Sequence, residues 1–143
     1  MTTTPATRDA PAEFLTSHNH CFTCGENNHA GLHLDFQLSP GSATCTWHPA
    51  PEFQSYAGRI HGGILTTLMD SAMVHALLTG GIQGVTATMD IRFRHPVTLG
   101  FPLVITGLHA ESKRGIHYCS AEIRQNGETV VQASAKFLSL AAS

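Results

Sequence analysis

Long apolar runs and clusters of basic residues are missing from this sequence of 143 residues, and charged residues make up only 13% of it. No stretch reaches the roughly 18 consecutive apolar residues of a membrane span, and the N-terminus lacks the apolar centre of a signal peptide. Eight Lys and Arg stand against ten Asp and Glu, so neither nucleic acid nor a membrane is expected as a partner. These absences predict a soluble, cytoplasmic protein.

Hydrophobic residues, by contrast, make up 42% of the chain, which is enough for one sizeable core at this length. Internal repeats and a second domain boundary are absent, so residues 13–143 are expected to form one domain. Residues 1–12 are mostly Thr, Ala and Pro without periodicity, which predicts a mobile tail. Residues 13–31 are small, polar and rich in histidine, and are expected to form a compact leader loop.

The stretch from His61 to Leu78 has the periodicity of a helix. Apolar residues recur in it at spacings of three and four: Ile64, Leu65, Leu68, Met69, Ala72, Met73, Ala76 and Leu77. Val74 and Leu78 widen this stripe, which predicts a helix buried on most sides. Asp70 lies in its middle, where a carboxylate is costly to bury unless it is hydrogen-bonded or reached by a pocket. Asp70 is therefore the first candidate for chemistry, with a structural hydrogen-bond acceptor as the alternative.

A pair of glycines, Gly62-Gly63, stands where this helix begins. Backbone N–H groups in the first turn of a helix have no intrahelical partner and carry the positive end of the helix dipole. Glycine allows another molecule to come close to them. The start of the helix is therefore a second candidate for function.

Alternating apolar and polar residues predict strands on both sides of the helix. The predicted strands are Leu32–Leu38, Ala43–Trp47, Val85–Arg94, Leu103–Leu108, Ile116–Arg124 and Thr129–Leu140. Pro40-Gly41 and Asn126-Gly127 predict hairpin turns between neighbouring strands. A helix this apolar needs cover on more than one side, which a curled sheet supplies. The sequence therefore predicts an α+β fold in which a curled antiparallel sheet wraps around one long central helix.

The order β-β-α-β-β-β-β with a central apolar helix resembles the hotdog fold. His61-Gly62-Gly63 followed by Asp70 resembles the motif of the PaaI-type acyl-CoA thioesterases. The leader, with Cys21-Phe22-Thr23-Cys24-Gly25, is similar to that of a bacterial subgroup of this family. The resemblance covers roughly residues 30 to 140 in addition to this leader.

The resemblance implies an enzyme that hydrolyses the thioester of a small to medium acyl-CoA, or of an aromatic acyl-CoA, to free acid and CoA. Asp70 would be the nucleophile or the general base, and the N–H groups of Gly62 and Gly63 would bind the carbonyl oxygen. His61 would shape the start of the helix rather than titrate. No cofactor is implied beyond CoA as part of substrate and product.

Further contacts are expected around this centre. The family's hydroxyl near the aspartate corresponds to Thr86 or Thr88, which strict alternation places together on the polar side of one strand. The loop before the helix offers Gln54 and Ser55 for substrate binding, where some family members have asparagine. Two further substrate-binding candidates are Met73, for the acyl group, and Arg92, for the phosphates of CoA. The sequence does not identify the acyl group. It also does not decide whether the substrate is an ester of CoA or of an acyl-carrier protein.

The distance along the helix predicts an oligomer. Gly62 and Asp70 are eight residues apart in sequence, which places them about 12 Å apart along a helix axis. One carbonyl carbon cannot be reached by both groups of one chain. If the motif is catalytic, Asp70 of one chain must face Gly62 of another, which predicts a homodimer with two sites at its interface. We expect a further assembly into a dimer of dimers.

Four cysteines are present, and a cytoplasmic location predicts that they stay reduced. The pair Cys21 and Cys24, with His18 and His20 beside it, has the spacing of half a zinc site. However, His20 adjoins Cys21, which leaves little slack for tetrahedral closure, and no second cysteine pair follows. We expect a reduced pair without metal, with bound zinc and a redox disulfide as the alternatives.

Two other functions remain open at this point. A hotdog protein can bind acyl thioesters as a carrier or sensor without hydrolysing them, although the lack of a helix-turn-helix pattern and of a basic face argues against a DNA-binding sensor. A hotdog dehydratase or hydratase needs a paired acid and base. The spacing of His61 and Asp70 resembles the thioesterase arrangement better.

Overall fold

The computed structural model describes residues 18–140. The predicted tail, residues 1–12, and the first residues of the predicted leader lie outside this range. The described chain forms one six-stranded antiparallel sheet and one α-helix in the predicted order β-β-α-β-β-β-β. Between residues 18 and 140, no helix has both the length and the apolar character that a bilayer crossing requires.

The sheet curls around the single helix, as predicted. Its strands are β1 (Gln37–Ser39), β2 (Ser42–Trp47), β3 (Gly84–Phe93), β4 (Leu103–Lys113), β5 (Ile116–Gln125) and β6 (Glu128–Ser139), and the helix is α1 (Gly62–Leu78). The strand order across the sheet is β1-β2-β4-β5-β6-β3. Strand β3, which follows the helix in sequence, therefore lies at one edge.

Helix α1 is buried most completely in its second half. The side chains of Ala72, Met73, Ala76 and Leu77 have no exposed surface, because α1 packs against β2, β4, β5 and β3. Helix and sheet approach so closely that a Cβ atom at Gly107 of β4 would lie 2.4 Å from the helix backbone. The second half of the helix is thus packed closely against the sheet, and its first turns are less covered.

The predicted first strand is only partly correct, because β1 contains no more than its last residues. Leu32 and Leu34 are buried as their alternation predicts, but their N–H groups donate to the carbonyl oxygens of Phe22 and Thr23 at 2.8 and 2.7 Å. His33 between them has a φ of 53°, which breaks the extended ladder. Residues 32–36 are therefore an arm tied to the leader rather than to the sheet.

The turn between β5 and β6 has the predicted geometry, whereas the predicted end of β4 is too early. Asn126 and Gly127 have φ values of 54° and 79°, as the predicted type I′ turn requires. Strand β4, however, continues past its predicted end at Leu108. Its pairing with β5 shifts register between His109 and Glu111, and such a bulge interrupts the alternation on which the prediction relied.

A second bulge lies in edge strand β3 and decides which side chains face the helix. The register against β6 pairs Thr86 with Phe137 and Thr88 with Lys136, leaving Ala87 unpaired. Directly opposed residues of an antiparallel pair share a face. Because Phe137 is buried and Lys136 is exposed, Thr86 faces the helix and Thr88 faces away. The prediction that both threonines lie on one side is wrong, since strict alternation ignores the extra residue.

Candidate active site

The start of α1 is capped by the side chain of His61. The Gly63 N–H donates to His61 Nδ1 at 2.9 Å, while His61 itself has an extended backbone with φ −63° and ψ 132°. This bond satisfies one of the four free N–H groups of the helix start. His61 therefore shapes the helix start, as predicted, and the N–H of Gly63 is already engaged.

Only one of the two predicted oxyanion donors is left free by this cap. Within residues 18–140, the N–H of Gly62 has no hydrogen-bond partner. The ring of Phe93 lies beside it, 3.5 Å from the position that a Cβ atom of Gly62 would take. Gly62 thus offers an unoccupied donor at the positive end of the helix dipole, next to an aromatic edge.

A cleft of about 360 Å³ opens at this end of the helix. Its lining includes Gln54 from the preceding loop together with His61, Gly63, Ile64 and Thr67 of the helix start. The Gln54 amide is used internally, because its Oε1 accepts from the Gly58 N–H at 2.7 Å and its Nε2 donates to the Pro51 carbonyl at 2.9 Å. Gln54 therefore holds the loop that forms one wall of the cleft.

Asp70 lies half-buried in the middle of α1 and accepts a hydrogen bond from the hydroxyl of Thr86. Burial raises the pKa of Asp70 above its ordinary value. The Thr86 hydrogen bond opposes this effect, and the charge of the nearby Cys21 thiolate adds to it. A carboxylate of raised pKa held by a hydroxyl is suited to act as a base or a nucleophile near neutral pH.

The leader packs beside Asp70, which sequence reasoning did not anticipate. The buried Thr23 hydroxyl lies 2.7 Å from the hydroxyl of Ser71, the residue that follows Asp70. Cys21 Sγ is 3.2 Å from the same Thr23 hydroxyl. No local pattern signals this contact, because it joins residues 48 positions apart in the sequence.

The two cysteines of the leader differ in their acid–base behaviour. Hydrogen bonds from Cys24, and to a lesser extent from His18, lower the pKa of Cys21 to about 2 against the opposing effect of burial. The pKa of Cys24 is raised, because its thiol proton is held by the Cys21 sulfur and because it is buried. Of the two, Cys21 is therefore the one that favours the thiolate form, and none of the four cysteines of the chain is in a disulfide.

The remaining predicted site residues lie elsewhere. Met73 has no exposed surface and packs in the core of this chain. Ser55 is exposed outside the lining of the cleft, and its N–H donates to the Arg59 carbonyl at 2.9 Å. Arg92 is exposed on the outer face of β3, opposite Gln132.

The structure therefore contains two candidate half-sites on one helix. One holds Asp70 with Thr86, and the other holds the free N–H of Gly62 with the His61 cap. They stand about 12 Å apart along the axis of the continuous helix α1. Thr88 belongs to neither half-site.

Comparison with known proteins identifies the family. The family model described as the thioesterase superfamily matches residues 57–132, which is more than half of the chain and includes both half-sites. This chain belongs to the thioesterase superfamily. Human acyl-coenzyme A thioesterase 13 is 29% identical over 98 residues, which cover 66% of this chain and 70% of that protein.

Solved structures agree with this assignment. A crystal structure of a thioesterase superfamily protein superposes with a TM-score of 0.79 at 27% identity, covering 84% of this chain but only 60% of that longer chain. The PaaI protein of E. coli, from the phenylacetic acid degradation operon, has a TM-score of 0.71 at 24% identity over 75% of this chain and 83% of its own. A hypothetical thioesterase from Streptococcus pneumoniae, solved with coenzyme A, has a TM-score of 0.70 at 23% identity over 74% of this chain and 87% of its own. The predicted PaaI-type hotdog fold is confirmed.

The free N–H of Gly62 can be deleted with little change of shape by Gly62→Pro. Proline is well suited to the first position of a helix, and the extended backbone of His61 is compatible with a following proline. We expect thioester hydrolysis to fall by roughly a hundredfold to a thousandfold, because one oxyanion donor is lost. The control is Gly62→Ala, whose Cβ meets Phe93 at an ordinary 3.5 Å and whose N–H remains. Equal activity of the two variants would exclude Gly62 as a donor.

The bulge in β3 supplies a matched pair of threonine variants. Thr86→Val removes the hydrogen bond that lowers the pKa of Asp70, so that pKa rises further. Because the carboxylate form is the active one, the acidic limb of the pH–rate profile should move to higher pH. At mildly acidic pH kcat/KM should fall by roughly tenfold, as for the loss of a hydrogen bond to a charged group. Thr88→Val should keep the parent profile, and a shift as large as that of Thr86→Val would contradict this assignment.

Proposed function

We propose that this protein hydrolyses acyl-CoA thioesters with small to medium, or aromatic, acyl groups to free acid and CoA. The observation that carries the proposal is the Asp70–Thr86 pair, a carboxylate of raised pKa on the same helix as the free N–H of Gly62. Membership of the thioesterase superfamily supports the reaction type. The human relative named for acyl-coenzyme A and the structure that contains coenzyme A support a CoA ester as the substrate.

In the proposed reaction, the Gly62 N–H donates to the carbonyl oxygen and stabilises the negative charge that develops on it. Asp70 either attacks the carbonyl carbon, giving an anhydride that water then cleaves, or takes a proton from the water that attacks. In both routes the carbon–sulfur bond breaks and one water is consumed. Its oxygen enters the acid, and one proton reaches the sulfur of CoA. Thr86 holds the carboxylate in place.

We further propose that the active form is a homodimer. Strand β3 is an edge strand, and its side chains Val85 and Phe93 are 50% and 55% exposed. An unpaired edge that carries large apolar side chains is suited to pairing with another chain. Because Phe93 lies beside Gly62, such pairing would bring the helix start of one protomer towards the Asp70 half-site of its partner. A dimer of dimers is the next assembly we propose.

The outer contacts of the substrate belong to the same proposal. The cleft next to Gln54 is assigned to the substrate, and Ser55 remains a candidate at the rim of that loop. Arg92 is the proposed partner for the phosphates of CoA, because it is an exposed cation on the strand assigned to the dimer interface. The cytoplasmic location remains a prediction from the sequence.

A panel of acyl-CoA esters, assayed for released thiol, tests the reaction. Asp70→Asn should lower kcat by roughly a hundredfold or more, because the amide is neither a base nor a nucleophile. Glu111→Gln, a change at an exposed carboxylate of β4, is the control and should leave activity unchanged. Full activity in Asp70→Ala would contradict the mechanism. Binding of esters without hydrolysis by the parent protein would show a carrier or sensor instead.

Mixing two inactive variants tests the shared site. Asp70→Ala and Gly62→Pro chains each disable both sites of their own homodimer. In a mixed dimer one site carries both changes, whereas the other pairs an intact Asp70 with an intact Gly62. Random pairing should therefore restore about a quarter of the parent activity. Failure of the mixture to regain activity, or an active monomer in gel filtration, would overturn the dimeric site.

A further inference from the structure

Three donor atoms of the leader converge on one point. A ring nitrogen of His18 and the sulfur atoms of Cys21 and Cys24 all lie within 4.8 Å of one another, and Cys24 Sγ is 3.4 Å from His18 Nδ1. Around a tetrahedral zinc ion, sulfur and imidazole nitrogen ligands stand roughly 3.5 Å apart, as their usual bond lengths require. The donors are therefore spaced as ligands of a single ion would be.

We propose that His18, Cys21 and Cys24 bind one zinc ion, with the fourth position held by water or another small donor. Two thiolates and an imidazole form a donor set that suits zinc. His20, which the sequence offered as the fourth ligand, is exposed and lies outside the cluster. The crowding expected from its adjacency to Cys21 therefore does not arise, because the histidine that takes part is three positions away from that cysteine.

The loop holds these donors in place before any ion arrives. The Cys21 N–H donates to the His18 carbonyl at 3.0 Å, and the Gly25 N–H donates to the Cys21 carbonyl at 2.9 Å. A Cβ atom at Gly25 would lie 2.4 Å from the Cys21 nitrogen, so only glycine permits so tight a turn. The ring of His18 also contacts the buried ring of His75 edge-on, with 5.5 Å between centroids.

An ion at this position would fix the leader against the active-site helix. Thr23 lies between the two cysteines, and its hydroxyl contacts Ser71, next to Asp70. The Thr23 carbonyl accepts the N–H of Leu34 at 2.7 Å, which ties the same turn to the buried arm. The proposed ion therefore has a positioning role, and it takes no part in the hydrolysis step itself.

Metal content gives the direct test. The full chain, purified without a histidine tag and supplied with Zn²⁺, should contain about one zinc ion per chain by mass spectrometry. Co²⁺ in its place should give the charge-transfer absorption of cobalt bound to thiolates. Cys24→Ser and His18→Ala should each reduce the bound zinc to a small fraction of the parent value. His20→Ala is the matched control and should retain it.

Measurements on the unmodified chain cover the case in which a variant fails to fold. Removal of zinc with a chelator should lower Tm, and stoichiometric Zn²⁺ should restore it. A parent protein that binds no zinc, or that holds a Cys21–Cys24 disulfide under reducing conditions, would overturn the site. Zinc binding is measured independently of hydrolysis. A protein that hydrolyses thioesters but binds no zinc would therefore refute only the metal site. A protein that binds zinc but hydrolyses no thioester would refute only the proposed reaction.

Discussion

The hydrogen bond from Thr86 to Asp70 is the interaction around which the rest of this structure is arranged. It joins the edge strand to the middle of the central helix, and it holds a carboxylate that burial would otherwise drive towards its protonated form. The bond exists only because β3 carries a bulge at Ala87, which separates the faces of Thr86 and Thr88. A small irregularity of the sheet thus decides which hydroxyl meets the carboxylate.

Helix α1 is continuous from Gly62 to Leu78, and this continuity constrains the assembly. In its second half Ala72 lies against β4 at a distance that only Gly107 permits. The separation between Gly62 and Asp70 is therefore fixed at about 12 Å by the helical rise. Moving the helix as a whole would not shorten this separation. If both groups act on one carbonyl, they must come from two chains, as in the dimer proposed above.

Periodicity in the sequence was enough to predict the helix, the order of the elements and the Asn126-Gly127 turn, since each depends on residues close in the chain. The prediction from periodicity failed where backbone N–H groups bond to a segment outside the sheet. Leu32 and Leu34 alternate like strand residues, yet they bond to the leader. The engagement of Gly63 by His61 was also missed, because histidine is not among the side chains that usually cap a helix start.

The leader is the part of the site that local reasoning could not place, and its position links the two proposals. Thr23 lies between the two cysteines in sequence, and its hydroxyl contacts that of Ser71, the residue that follows Asp70. One turn of the leader therefore joins the proposed metal ligands to the surroundings of the Asp70–Thr86 pair. A metal ion on Cys21 and Cys24 would hold that turn in place, and its effect on the aspartate would be one of position.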